Sequence, residues 1–172
     1  MRHLSLFLPK HILKTVYYGI FNSRLTYGLM FWGTCPRSSF ERVFKLQKRC
    51  LRIVCNLGYR ESCKDHFRTE EILTLPSLFI SAISQFVFKN THLFQKHNHT
   101  YSTRNKNQLV IPAHNTALFE KSVIYLGPKI FNCLPENIQN APSINVFKSR
   151  LRSFLIREAF YTLSEFYSRV KN

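Results

Sequence analysis

Arg42, Lys45, Lys48, Arg49 and Arg52 recur at the intervals of a helix. At about 100° per residue they share an arc of roughly 120°, with Val43, Phe44, Leu46, Cys50, Leu51, Ile53 and Val54 on the other side. Glu41, in the first turn, is the one carboxylate near that arc. A face that only solubilises a helix ordinarily sets Glu four residues from each cation, because like charges repel by a few tenths of a kcal/mol per pair. Without that compensation, the pattern points to an anion supplied from outside. Five duplex phosphate contacts would give a slope of log K against log salt of about −4.5, or about −3.5 on a single strand.

Composition points the same way. The 172 residues carry 25 Lys and Arg against nine Asp and Glu, a formal charge of +16, on a chain that is 45% hydrophobic and therefore able to fold. Nucleic acid is the leading partner for such a chain; an acidic protein face and an anionic membrane surface come after it. Catalysis of phosphoryl transfer is poorly provided for. Asp65 is the only Asp, Glu70 and Glu71 are the only adjacent carboxylates, and two-metal chemistry needs several converging on cations about 4 Å apart.

Other reactive residue types read as structural. Cys63 and His66 make a Cys-x2-His pair with Cys50 and Cys55 nearby. Cys50 and Cys55 would point about 140° apart on a helix, and zinc sites ordinarily pair ligands at shorter spacings. Core thiols and a surface histidine are expected, with no metal or cofactor. His92, His97 and His99 fall in a polar stretch beside Lys89 and Lys96, as solvated or anion-facing groups. Arg104 and Lys106, in the same stretch, are added as secondary phosphate contacts. The five glycines are scattered and form no phosphate-cradling loop. Tyr17, Tyr18, Tyr27, Phe31 and Trp32 could stack bases, but their helical spacing reads as core.

The elements that must position these residues are helical, and the expected fold class is all-α. Pro9 opens one long helix to about Phe31, with Leu13, Tyr17, Ile20, Phe21, Leu25, Gly28, Leu29 and Trp32 on its apolar side. Gly33 to Pro36 breaks it. Ser38-Ser-Phe-Glu41 reads as a capping box for the basic helix, which runs to about Asn56 and completes an antiparallel hairpin. Short helical turns are expected between Lys64 and Leu73, then a helix from Thr74-Leu-Pro-Ser77 to His92 or Phe94. Gln95 to Ala117 reads as an exposed loop, with Gln108 to Ile111 as a short strand or extended piece. A short helix entered at Gly127-Pro128 lies within Val123 to Cys133, and Leu134 to Ile138 form a turn. Ser143 caps a helix from Ile144 to about Phe160, and Thr162 to Arg169 closes the chain. The segments group as 1–57, 58–94, 95–117 and 118–172 within a single mainly helical region.

Five cysteines, an odd number, and no visible secretory signal suit a reduced intracellular compartment, without separating nucleus from cytoplasm. No window reaches the roughly eighteen apolar residues of a membrane span.

Tyr17-Tyr-Gly-Ile-Phe, Ser23-Arg-Leu-Thr-Tyr-Gly28 and Trp32-Gly33 resemble the segment after the reverse-transcriptase core in jockey-type non-LTR retrotransposons. The resemblance continues, in collinear order, through Leu46-Gln-Lys-Arg49, Leu73-Thr-Leu-Pro76, Thr103-Arg-Asn-Lys106, Tyr125-Leu-Gly-Pro-Lys129, Asn132-Cys-Leu-Pro135, Phe147-Lys148 and Phe160-Tyr-Thr-Leu-Ser-Glu-Phe166. It implies the thumb and post-thumb region of an RNA-directed DNA polymerase, gripping template and primer backbone beside an upstream palm. The palm's paired aspartates have no positions here, so the resemblance implies no catalysis by this chain. Met1 falls inside a family segment, which suggests a truncated element or gene fragment.

Overall fold

A computed structural model of the protein describes residues 1–95 and 108–170. The described residues are mostly helical and contain no sheet. A 3₁₀ turn at Leu4–Leu6 precedes α1 (Lys10–Val16), which continues through a π-helical stretch, Tyr17–Asn22, into α2 (Ser23–Thr26). A single turn, α3 (Leu29–Trp32), leads to α4 (Arg37–Cys55), α5 (Lys64–Thr69) and α6 (Leu75–Lys89). A second 3₁₀ turn lies at Thr91–Leu93. Beyond it come α7 (Ala117–Glu120), α8 (Val123–Phe131), α9 (Glu136–Gln139), α10 (Ile144–Glu158) and α11 (Leu163–Val170).

α6 is the axis of the core. It opens at Thr74, whose Oγ1 accepts from the Ser77 amide, and Pro76 occupies its first turn without forfeiting a hydrogen bond. Leu75, Phe79, Ile80, Ile83 and Val87 are fully buried. It packs against α3, α8 and α10, which is why it is apolar around most of its circumference. Two glycines permit the close approach. A methyl at Gly33 would overlap the Phe79 ring, and one at Gly127 would press on Val87 at 2.8 Å. One apolar cluster runs from Leu13 to Phe166.

A buried polar knot joins the first half of the chain to this axis. Gln47, fully buried on α4, donates from Nε2 to the Tyr17 hydroxyl and to the Leu73 carbonyl, each at 2.9 Å. Its Oε1 accepts from the Leu75 amide at 2.8 Å. Thr74, between those two backbone groups, donates to the Phe160 carbonyl and ties in the link after α10. Burial drives the Tyr17 phenol pKa upward and keeps the ring neutral, although the hydrogen bond donated by Gln47 acts in the opposite direction.

Several sequence expectations are corrected. The long helix to Phe31 is interrupted: Tyr27 turns extended at ψ 119° and Gly28 takes the left-handed conformation at φ 60°, which glycine adopts without steric cost. The π turn and this break shift the helical phase, so the aromatic set divides. Tyr17 is core and Trp32 is partly buried, whereas Tyr27 and Phe31 are 85% and 77% exposed, and Ile20 also faces out. The Ser38 capping box does not form. The Pro36 carbonyl already accepts from the amides of Ser39 and Phe40, so Ser38 lies within the helix and Glu41 pairs with Arg37 instead. A capping box does open α11: Thr162 Oγ1 accepts from the Glu165 amide at 3.0 Å, and Glu165 Oε2 from the Tyr161 amide at 2.7 Å.

Further along, Pro128 lies inside α8, because Ser122 caps that helix earlier, at the Tyr125 amide. The expected turn after Leu134 is a one-turn helix, α9. The end of the expected exposed loop is tied down. Leu109 is buried, with its amide and carbonyl both held by the Asn132 side chain at 2.9 and 2.8 Å.

Two stability predictions follow from these joints. Gln47→Met keeps the volume but orphans a buried amide and carbonyl, so it should cost about 3 kcal/mol or more, against about 1 for Tyr17→Phe. Urea unfolding reads both, and equal midpoints for Gln47→Met and wild type would dismiss the knot. The second concerns Glu165. Burial opposes its ionisation, but the Lys64 hydrogen bond at 2.6 Å and the amides of the capping box prevail and hold its pKa below the ordinary carboxylate range. A depressed folded-state pKa gives stability that is present above the unfolded value and lost as pH falls through the folded one. Glu165→Gln should therefore be less stable than wild type near about pH 7, and the gap should close towards about pH 3. A gap constant across that range would show that the Glu165 charge is not its source.

Candidate nucleic-acid interface

The orientation of α4 decides what its cations can reach. Phe44, Gln47, Leu51 and Val54 turn inward, leaving Arg42, Lys45 and Arg49 exposed to solvent. Leu46, expected on the apolar side, is 48% exposed. Its place among the inward residues is taken by Gln47. After Cys55 the helix stops at Asn56, left-handed at φ 52°, and the Leu57 amide caps the Arg52 carbonyl at 2.9 Å. The chain then doubles back beside the helix. Lys45, Lys48, Arg49 and Arg52 from α4, with Tyr59 and Arg60 from the following loop, line one groove. Arg49, Arg52 and Tyr59 also border a second hollow, to which Arg2 contributes.

The five predicted cations are not equivalent. Lys45 and Arg49 are exposed within the groove. Lys48 is half-buried, its Nζ 4.7 Å from the Phe44 ring centre and 5.4 Å from that of Tyr161, contacts worth about 0.5–1 kcal/mol each near a surface. Arg52 is half-buried too, and its Nη2 donates to the Glu61 carbonyl at 3.0 Å, pinning the loop. Arg42 lies outside the groove lining. Arg104, Lys106, His97 and His99 fall outside the described residues, and His92 is exposed after α6.

Electrostatically the groove is uncompensated. Among the described residues, none of the ion pairs engages Arg42, Lys45, Lys48, Arg49 or Arg52. The nearby acids are engaged elsewhere. Glu61 Oε2 accepts from the Gly58 amide at 3.1 Å, Asp65 pairs with Arg68, and Glu41 pairs with Arg37 at 2.7 Å. The Arg37 hydrogen bond holds the Glu41 carboxyl below its ordinary range, and Lys45 and Lys48 add to the effect. These are the conditions for taking up phosphate groups.

The cysteines are arranged differently. Burial pushes the thiols of Cys50, Cys55 and Cys63 up, away from the reactive thiolate. Among the described residues, no three of His, Cys, Asp and Glu gather closely enough to hold a metal ion. No helix there is long and apolar enough to cross a membrane.

Patterning of the sequence passes over Arg2, Tyr59 and Arg60. Helical periodicity cannot register residues outside a helix; the available signal was an aromatic-basic pair, Tyr59-Arg60, inside a turn. Comparison with protein families, curated proteins and solved structures finds no match for this chain.

Lys45→Gln with Arg49→Gln is the clean substitution, because neither side chain is used in folding contacts. It should leave thermal unfolding within about 0.5 kcal/mol of wild type. It should reduce the salt slope of duplex binding by about 1.8, two contacts at about 0.9 each. An unchanged slope in a fluorescence titration would remove these residues from any interface.

Proposed function

We propose that this chain binds the backbone of nucleic acid without sequence preference, through α4 and the loop after it, and catalyses no reaction. The observation carrying this reading is the groove of Lys45, Lys48, Arg49, Arg52 and Arg60, whose four α4 cations make no ion pair among the described residues. Phosphate contacts position a chain on any sequence alike, since they read no base edge. We further infer, from the collinear resemblance, an origin as the thumb and post-thumb region of a jockey-type reverse transcriptase. The resembling segments hold Gly33, Gln47, Thr74, Gly127, Asn132 and Glu165, each at a joint of the core. A fold shared with such a region would need particular residues at those places.

One observation favours a second role. Ile20, Tyr27, Phe31 and Leu46 are exposed, and Ile20, Phe21, Leu25, Trp32, Val43 and Leu46 line an apolar hollow with Arg24. Such a face suits packing against another domain, and the resemblance makes that domain the upstream palm.

Fluorescence anisotropy of the purified chain with labelled oligonucleotides of unrelated sequence tests the first reading. Expected are dissociation constants within the non-specific range of about 10⁻⁶ to 10⁻⁴ M at physiological salt, alike across sequences and weakening steeply as salt rises. Primer extension with Mg²⁺ or Mn²⁺ should yield nothing. Absence of salt-dependent binding would refute the proposal. A chain that stays in solution only when the polymerase region is supplied would favour the packing role.

A further inference from the structure

We propose that Tyr59 is a stacking platform for an unpaired nucleobase, so that the groove prefers single-stranded nucleic acid to duplex. The inference rests on the backbone-binding reading above and names the form of nucleic acid that the same site takes.

Tyr59 is 81% exposed. A lone exposed apolar side chain ordinarily carries no meaning, but three features set this one apart. Its loop is fastened on both flanks. The Leu57 amide bonds the Arg52 carbonyl, the Gly58 amide bonds Glu61 Oε2, the Glu61 amide bonds the Gly58 carbonyl, and Arg52 Nη2 bonds the Glu61 carbonyl. The ring is therefore presented by a braced turn. Second, it shares its groove with Lys45, Lys48, Arg49, Arg52 and Arg60. Third, no other ring and no cation of the described residues lies over either of its faces.

An aromatic face beside a row of cations is what single-strand binding uses: cations follow the phosphates while a base lies on the ring. From Lys45 to Arg52 the helix rises about 10 Å, enough for more than one phosphate. Paired bases in a duplex already stack on their neighbours and offer no free face. Duplex would therefore use the cations alone. Stacking is tolerant of base identity, which agrees with binding that reads no sequence.

The test uses the full chain and three labelled probes: an oligothymidylate, an abasic oligomer of equal length and charge, and a duplex. Tyr59→Ala should weaken oligothymidylate binding about tenfold, leave the abasic oligomer, the duplex and the salt slope unchanged, and be rescued by Tyr59→Phe. Unfolding midpoints of the variants should match wild type, since the ring is solvated. Unaltered oligothymidylate binding by Tyr59→Ala would overturn the inference. So would an equal loss on the abasic oligomer, which would make Tyr59 a support for the loop. In either case, a loss on all three probes from Lys45→Gln with Arg49→Gln would leave the backbone reading standing. Wild type that binds none of the probes would overturn both.

Discussion

The Gln47 carboxamide is the constraint on which the arrangement of α4 depends. Its three hydrogen bonds reach the π turn after α1, the carbonyl of Leu73 and the first amide of α6. In a buried site a polar group missing one partner costs about 1–3 kcal/mol, so rotating α4 would leave several groups unpaired together. A purely apolar contact could slide by a residue or adopt another rotamer at less cost. The carboxamide permits one phase.

That phase accounts for the surface. Taking Gln47 as the inward direction, Arg42, Lys45, Arg49 and Arg52 lie about 140–160° away at about 100° per residue, on the outer side of the helix. Lys48 is only about 100° away, on the shoulder, which is why its stem crosses Phe44 and Tyr161 while its ammonium meets their faces. Leu46 occupies the opposite shoulder and reaches the apolar hollow beside Trp32 and Phe21. Core polarity thus sets both the cationic groove and the exposed apolar edge, through one helix.

Much of this was legible in the sequence, and the gaps have physical causes. The all-α class, the end of α4 at Asn56, and the starts of α6 at Thr74 and α10 at Ser143 follow from periodicity, turn residues and caps that act locally. Gln47 did not: the wheel sets it among the apolar residues, but what a lone polar side chain does there depends on partners 26 to 30 residues away. The aromatic segment misled for a similar reason. Its periodicity presumes one uninterrupted helix, whereas the π turn and left-handed Gly28 reset the phase between Tyr17 and Phe31. The cations were legible as a face, but which of them are occupied in folding was not: Arg52 bonds a loop that returns to it, and Lys48 covers a ring from residue 161.

The scarcity of carboxylates acts on both sides of this picture. Glu70 is buried and meets Lys10 at 2.6 Å; Glu165 joins Lys64 to the start of α11; Glu158 receives Arg157 and Arg169. Glu70 and Glu158 are the sheltered members of these pairs, and Lys10, Arg157 and Arg169 reach them from the solvent side. With nine acids against 25 Lys and Arg, most of the cations have no carboxylate of their own. The same dispersal keeps the carboxylates from converging on a metal-binding centre. Uncompensated charge on α4 and the lack of a carboxylate cluster are therefore two results of one shortage.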